Sequence, residues 1–222
     1  MATTSTYRRE LFWLGVFGVA FGYLEAAVVL YLRTIAYPAG FAFPLEPVPR
    51  LVLGAEIGRE AATLAVLAGA SLAGGGPRLL RLSRFLYCFG LWDVAYYVGL
   101  KALLNWPASL VTWDILFLIP VPWSAPVLAP ALVAAYFVVV GSYGIVKRGD
   151  VRTRPWQWVV GAAGGSSILV TFLWNAGSCV RDMASASYPW ILYGLGFAAL
   201  VAAFAGAAAG PRSVKKRNDL VA

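Results

Sequence analysis

Six stretches of this chain are each apolar over about 20 residues, the length a helix needs to cross the roughly 30 Å hydrocarbon core of a bilayer. They cover approximately 11–32, 51–73, 84–104, 124–146, 156–177 and 189–209. Few folds accept such segments. Lipid offers no hydrogen-bond partners, so every backbone amide and carbonyl must be satisfied within the protein, and apolar segments of this length become helices. The composition agrees, with 60% of residues hydrophobic, 13% charged and a mean hydropathy of +0.73, far from the balance of a soluble domain. The fold class expected is all-α: a polytopic integral membrane protein built as a six-helix transmembrane bundle over 11–209.

The basic residues test that count independently of hydropathy. With six crossings, thirteen of the 18 Lys and Arg fall on one side: Arg8 and Arg9; Arg78, Arg81 and Arg84; Lys147, Arg148, Arg152 and Arg154; Arg212, Lys215, Lys216 and Arg217. Only Arg33, Arg50 and Arg181 fall on the other, while Arg59 and Lys101 lie within helices. Positive charge accumulates on the cytoplasmic side, so residues 1–10 and 210–222 read as cytoplasmic tails, and a bacterial inner membrane is the expected location. The net charge of +8 is therefore a topology signal, and no nucleic-acid partner is expected. The basic start followed by an apolar run resembles a secretory signal, but the run is long and contains Glu25, so it reads as a retained helix.

The segment 105–123 departs from the pattern. Its apolar part, 111–119, would rise only about 13 Å as a helix, and Pro107, Pro120 and Pro122 punctuate it. It reads as a Pro- and Trp-rich hairpin at the outer face, interfacial or re-entrant. The tryptophans Trp13, Trp156 and Trp158 suit the inner interface and Trp106, Trp113, Trp123 and Trp190 the outer one, whereas Trp92 lies well inside and is a candidate to line a site.

Histidine is absent, which removes imidazole ligation of haem or zinc and the commonest general base. Cys88 and Cys179 fall near opposite faces, too far apart to form a disulfide. What chemistry remains rests on charged side chains inside the membrane. In the second helix Glu56, Arg59, Glu60 and Thr63 lie within an arc of about 100°, opposite the small residues Gly54, Gly58, Ala61 and Ala65. Lipid cannot satisfy the polar face, so it turns toward protein or water, and the small face invites close helix contact. The third helix carries Asp93, Tyr97 and Lys101 at spacings of four; the first carries Glu25 beyond a Gly15, Gly18, Gly22 series suited to packing on a neighbour. Glu25, Glu56, Glu60 and Asp93 all fall between the midplane and the outer face, with Asp114 of the hairpin above them. Ser167, Thr171 and Asn175 form a neutral stripe on the fifth helix, read as glue between helices.

Five carboxylates against Arg59 and Lys101 leave a formal excess of three. Unpaired carboxylates in low dielectric are costly, so some of them must be protonated, hydrated or holding a cation. The leading expectation is an outward-facing acidic pocket of Glu25, Glu56, Arg59, Glu60, Asp93, Tyr97, Lys101 and Asp114, serving proton- or cation-coupled transport of a small solute. Of Glu56 and Glu60, the deeper Glu60 is favoured as the titrating member. Two alternatives stand beside it. One is an intramembrane enzyme acting on a lipid or quinone-like substrate, with Tyr96, Tyr97 or Lys101 as acid, base or orienting group. The other is a non-catalytic subunit of an oligomer or membrane complex. No cofactor is expected, although Glu56, Glu60 and Asp93 offer the oxygen ligation a divalent cation prefers.

Overall fold

The computed structural model of the 222-residue chain describes residues 4–37, 40–43, 45, 48–177 and 187–210. Cys179, Arg181 and the basic tail from 211 onward lie outside the described residues, so the expectations placed on them have no structural counterpart. The described elements are α1 (Thr4–Ala36), α2 (Arg50–Ala73), α3 (Arg78–Leu104), β1 (Trp113–Phe117), β2 (Trp123–Pro126), α4 (Leu128–Val146), α5 (Pro155–Leu173) and α6 (Trp190–Ala208). The protein is mostly helical. Residues 6–36 of α1, and α4, α5 and α6, are long and apolar enough to cross a membrane, and they turn Val16, Val19, Val139, Val159, Ile191 and Leu195 outward. So much apolar surface is stable against hydrocarbon, not water, and the chain is a membrane protein.

Proline sets where several helices begin. Pro49, Pro77 and Pro189 stand immediately before α2, α3 and α6, and Pro155 opens α5, positions where a missing N–H costs nothing. The end of α2 runs into Gly75 (φ +60°) and that of α4 into Arg148 (φ +56°) and Gly149 (φ +72°), whose left-handed backbone stops each helix. Helix bounds differ from the sequence reading in three informative places. α1 extends to Ala36 and so includes Arg33; α3 starts at Arg78 instead of 84; α4 starts at Leu128 instead of 124, because the residues before it pair as a strand.

That strand belongs to the hairpin. Among the described residues, β1 and β2 pair antiparallel with Asp114 opposite Ala125 and Ile115 opposite Ser124, and the register shifts between Ile115 and Phe117. Here the all-α expectation is corrected. Trp113, Ile115 and Phe117 suit a pleated, half-buried surface, and the prolines that follow deny a helix its hydrogen bonds. As expected, residues 111–119 form no spanning helix.

Helix packing is close where small residues allow it. Gly15, Gly18 and Gly22 lie against Tyr87, Leu91, Trp92 and Ala95 of α3, with Gly22 meeting the Trp92 carbonyl. Gly141 and Gly144 bring α4 onto Ser83 of α3, and Gly164 and Gly196 bring α5 and α6 into backbone contact. The polar stripe of α5 and the turn after it does join elements: Ser167 donates to the Leu192 carbonyl at 3.1 Å, Thr171 bonds Tyr188 at 2.8 Å, and Asn175 donates to the Ser187 carbonyl at 3.2 Å. α2 is different. Gly54 and Gly58 have no described atom near the position a side chain would take, and Ala61 and Ala65 are exposed. The contact expected of this small face is therefore not made among the described residues, because the charged face has claimed the inward side.

At one end of the bundle one carboxylate joins two arginines. Glu10 of α1 accepts from Arg84 of α3 at 2.6 Å and from Arg148, just after α4, at 2.5 Å, and Arg84 also donates to the Gly75 carbonyl. Arg84 is buried. This knot fastens α1, α3 and the end of α4 together.

Candidate functional site

At the other end, α1, α2, α3 and the hairpin bring most of the expected acidic residues together in two adjoining groups. In the first, the Arg59 guanidinium pairs with both Glu25 of α1 and Glu56 of its own helix. Its Nε donates to Glu56 at 2.9 Å, and the Thr63 hydroxyl reaches Glu25 at 3.4 Å. The helical repeat that gathers Glu56, Arg59, Glu60 and Thr63 on one face thus turns that face toward α1. Glu60, one turn further along, is buried. Both of its carboxylate oxygens lie within 3.0 Å of the Leu118 amide, which emerges just past the end of β1, where the ladder has ended. α2 is tied to α1 by an ion pair and to the hairpin by one amide.

The second group centres on Asp114 of β1, which is fully enclosed. Arg33 donates to it at 2.9 Å and the Tyr97 hydroxyl at 3.1 Å. Burial pushes the Asp114 carboxyl up to about 6, while Arg33, Tyr97 and the Ile115 amide pull it back down. The Arg33 guanidinium lies against two aromatic rings set nearly at right angles to each other, 3.9 Å from the Trp106 centroid and 4.3 Å from that of Phe41. Trp106 is therefore occupied with a cation, and Trp113 and Trp123 pack into the apolar core around Ala125 and Ile168; none of these three is simply an interfacial belt residue.

Asp93 of α3 lies within the electrostatic reach of Asp114. It is half-buried and makes no hydrogen bond or ion pair with any described residue. Tyr96, one turn on, lies within the electrostatic reach of Asp114, Arg33, Glu25 and Asp93, which links the two groups. Several buried donors nearby also lack partners: Trp92 Nε1, Trp123 Nε1, Ser124 Oγ and Arg33 Nη1. Trp92 packs on Phe89 at 5.2 Å and faces Phe117 of the hairpin at 6.3 Å.

Lys101 does not join the cluster. It is exposed and donates to the carbonyls of Asn105 and Pro107, so it caps the end of α3. Arg33, absent from the expected set, takes its place as the second buried cation. Its position was readable: eight residues beyond Glu25 is about 80° around a helix, but only if the helix continues past 32. The charge count comes out unchanged, five carboxylates against Arg33 and Arg59, and it can now be localised. Arg59 compensates one of Glu25 and Glu56 and reaches Glu60 only through space, Arg33 compensates Asp114, and neither Glu60 nor Asp93 has a cation in contact among the described residues. No group of three carboxylates, Glu56, Glu60 and Asp93 included, gathers at metal-binding distance among the described residues.

No protein-family model, curated protein or solved structure matches this chain.

Proposed function

We propose that the chain crosses the membrane six times with both ends cytoplasmic, in a bacterial inner membrane, and that the outer-half acidic cluster couples binding of a proton or monovalent cation to movement of a small solute. α2 and α3 are about 36 and 40 Å long at the usual helical rise, enough to span, and Glu56, Arg59 and Glu60 of α2 turn toward partners inside the protein. The observation that carries the functional reading is the pair of carboxylates without a cation: Glu60, held only by the Leu118 amide, and Asp93, held by nothing described. A buried carboxylate without compensation recruits a positive charge. α2 is the element whose position such a charge would control, because its outer half is fastened through Glu25, Arg59 and Glu60 and its small face is free.

Melting of the purified protein in neutral detergent tests this with Na⁺, K⁺ and protons as the only ligands. At least one of the three should raise the melting temperature of wild type more than that of Glu60→Gln or Asp93→Asn, which keep only the proton response of Asp114. An equal response in all three proteins, or none in wild type, would count against coupling. For the topology, single cysteines at Arg78 and Lys147 in a Cys88→Ser, Cys179→Ser background should be labelled only from the cytoplasm and one at Ser109 only from outside. Labelling of positions 78 and 147 from opposite sides would remove a crossing. The free face of α2 supports a second reading, in which Gly54, Gly58 and Ala61 receive a helix of another subunit; a chain that purifies only as a stable hetero-complex and lacks any ion response would favour it.

A further inference from the structure

The structure holds an open trough of about 260 Å³ between the last turns of α2 and the first turns of α3, at the end of these helices away from the acidic cluster. Its walls are apolar, formed by Leu72, Leu82 and Phe85 beside Ser71, and Arg78 and Arg81 lie along it. These two arginines differ from their neighbours. Arg84 and Arg148 share Glu10, whereas Arg78 and Arg81 have no carboxylate partner among the described residues, and the Nε of Arg81 is buried without an acceptor. They also sit in the opening turn of α3, which has no acidic residue and no side-chain cap, so the free amides and the helix dipole add to the positive field.

Uncompensated guanidinium groups, one with a buried unpartnered donor, call for an anion. The apolar walls, open to the side, call for hydrocarbon. We propose that this trough binds the headgroup of a phosphate-bearing anionic lipid, with the phosphate on Arg78 and Arg81 and an acyl chain along Leu72, Leu82 and Phe85. Arginine suits this task because its planar fork meets two phosphate oxygens at once. The trough is too small for a two-chain lipid, whose tails remain in the bilayer. The inference rests on the reading that α2 and α3 span the membrane, which places the trough at headgroup level.

The test is a titration of delipidated full-length protein in neutral detergent with phosphatidylglycerol, phosphatidylcholine or glycerol 3-phosphate, followed by thermal melting and by native mass spectrometry of the retained lipid. Phosphatidylglycerol should stabilise wild type where phosphatidylcholine does not. Arg78→Gln/Arg81→Gln should raise the half-saturating concentration about tenfold or more, as expected for losing two charge-assisted contacts, and Arg152→Gln should leave it unchanged. Should the double glutamine variant fail to fold, Arg81→Lys, which keeps the charge and loses the fork, should still weaken binding. Equal stabilisation by the two lipids, or equal weakening by Arg152→Gln, would overturn the site. Equal stabilisation by glycerol 3-phosphate would assign the trough to a soluble phosphate and overturn the lipid. Because the titration is done in detergent, its outcome is independent of the cysteine labelling that tests the crossing of α2 and α3.

Discussion

The two ends of this bundle handle charge in opposite ways. At the Glu10 end, one carboxylate lies between two arginines, Arg84 also holds a backbone carbonyl, and this knot fastens three helices, while Arg78 and Arg81 beside it have no carboxylate among the described residues. At the Glu25 end, five carboxylates share two arginines, Glu60 depends on a single amide, and Asp93 has no partner among the described residues. A closed network of the first kind has one charge state and holds one geometry. An open network of the second kind leaves room for a further positive charge, and α2 hangs from it. The difference teaches that buried charge in a membrane protein is a mark of function only where it is left unmatched; matched charge is equally costly to place and serves to fasten helices.

The largest effect that distinguishes the ends comes from removing the shared cations. Arg84→Gln leaves Glu10 with Arg148 as its remaining partner and frees the Gly75 carbonyl, and Arg59→Gln strands Glu25 and Glu56 together. Each should lower stability by about 3–5 kcal/mol, the cost of breaking a buried pair, read as a loss of folded protein and of melting temperature in detergent. The sharpening step is the rescue. Glu25→Gln/Glu56→Gln in the Arg59→Gln background should restore most of the loss by removing the stranded charges, whereas Glu10→Gln in the Arg84→Gln background takes the partner from Arg148 and should not. No rescue in the Arg59→Gln background would mean that shape, not charge, holds the helices there.

A smaller effect concerns Asp114. Its folded carboxyl titrates at about 6 against an ordinary value of 3.8, so the folded protein holds this proton more tightly than the unfolded chain does. The contribution favours folding below about pH 4 and is lost as pH rises through about 6. Relative to Asp114→Asn, wild type should lose up to about 2 kcal/mol between those limits. A difference that stays constant with pH would show that Arg33 and Tyr97 outweigh burial.

Smallest in stability are the changes that matter most to the functional reading. Glu60→Gln keeps an acceptor for the Leu118 amide, and Asp93→Asn removes a charge that nothing described compensates. Both should melt within about 1 kcal/mol of wild type.

Much of this was legible from residue types and spacing. The apolar runs of α1, α4, α5 and α6 mark their helices because lipid leaves the backbone no alternative, and Gly15, Gly18 and Gly22 mark the face of α1 that meets α3. The arc of Glu56, Arg59, Glu60 and Thr63 marks the inward face of α2. What sequence could not supply was partnership. Lys101, at a spacing of four from Tyr97, was expected inside; it sits at the last turn of α3, where free carbonyls at the helix end compete for it. Arg33 falls beyond the apolar run because hydropathy fades before the helix ends, so its pairing with Asp114, 81 residues away, leaves no local signal. The strands beside Asp114 were hidden for a related reason: a short run of alternating aromatics among prolines has no helical period, and nothing in its composition states which partner it pairs with.

The central claim is that the Glu60 and Asp93 carboxylates carry a movable positive charge and that Glu10 does not. Charge displacement in proteoliposomes on a solid-supported membrane, recorded after jumps in pH, Na⁺ or K⁺, tests it most directly. Wild type and Glu10→Gln reconstituted at equal density should give a transient current with at least one of the three ions, and Glu60→Gln and Asp93→Asn should give none with that ion. Currents of equal size in all four proteins, or their absence from wild type with every ion, would contradict the claim.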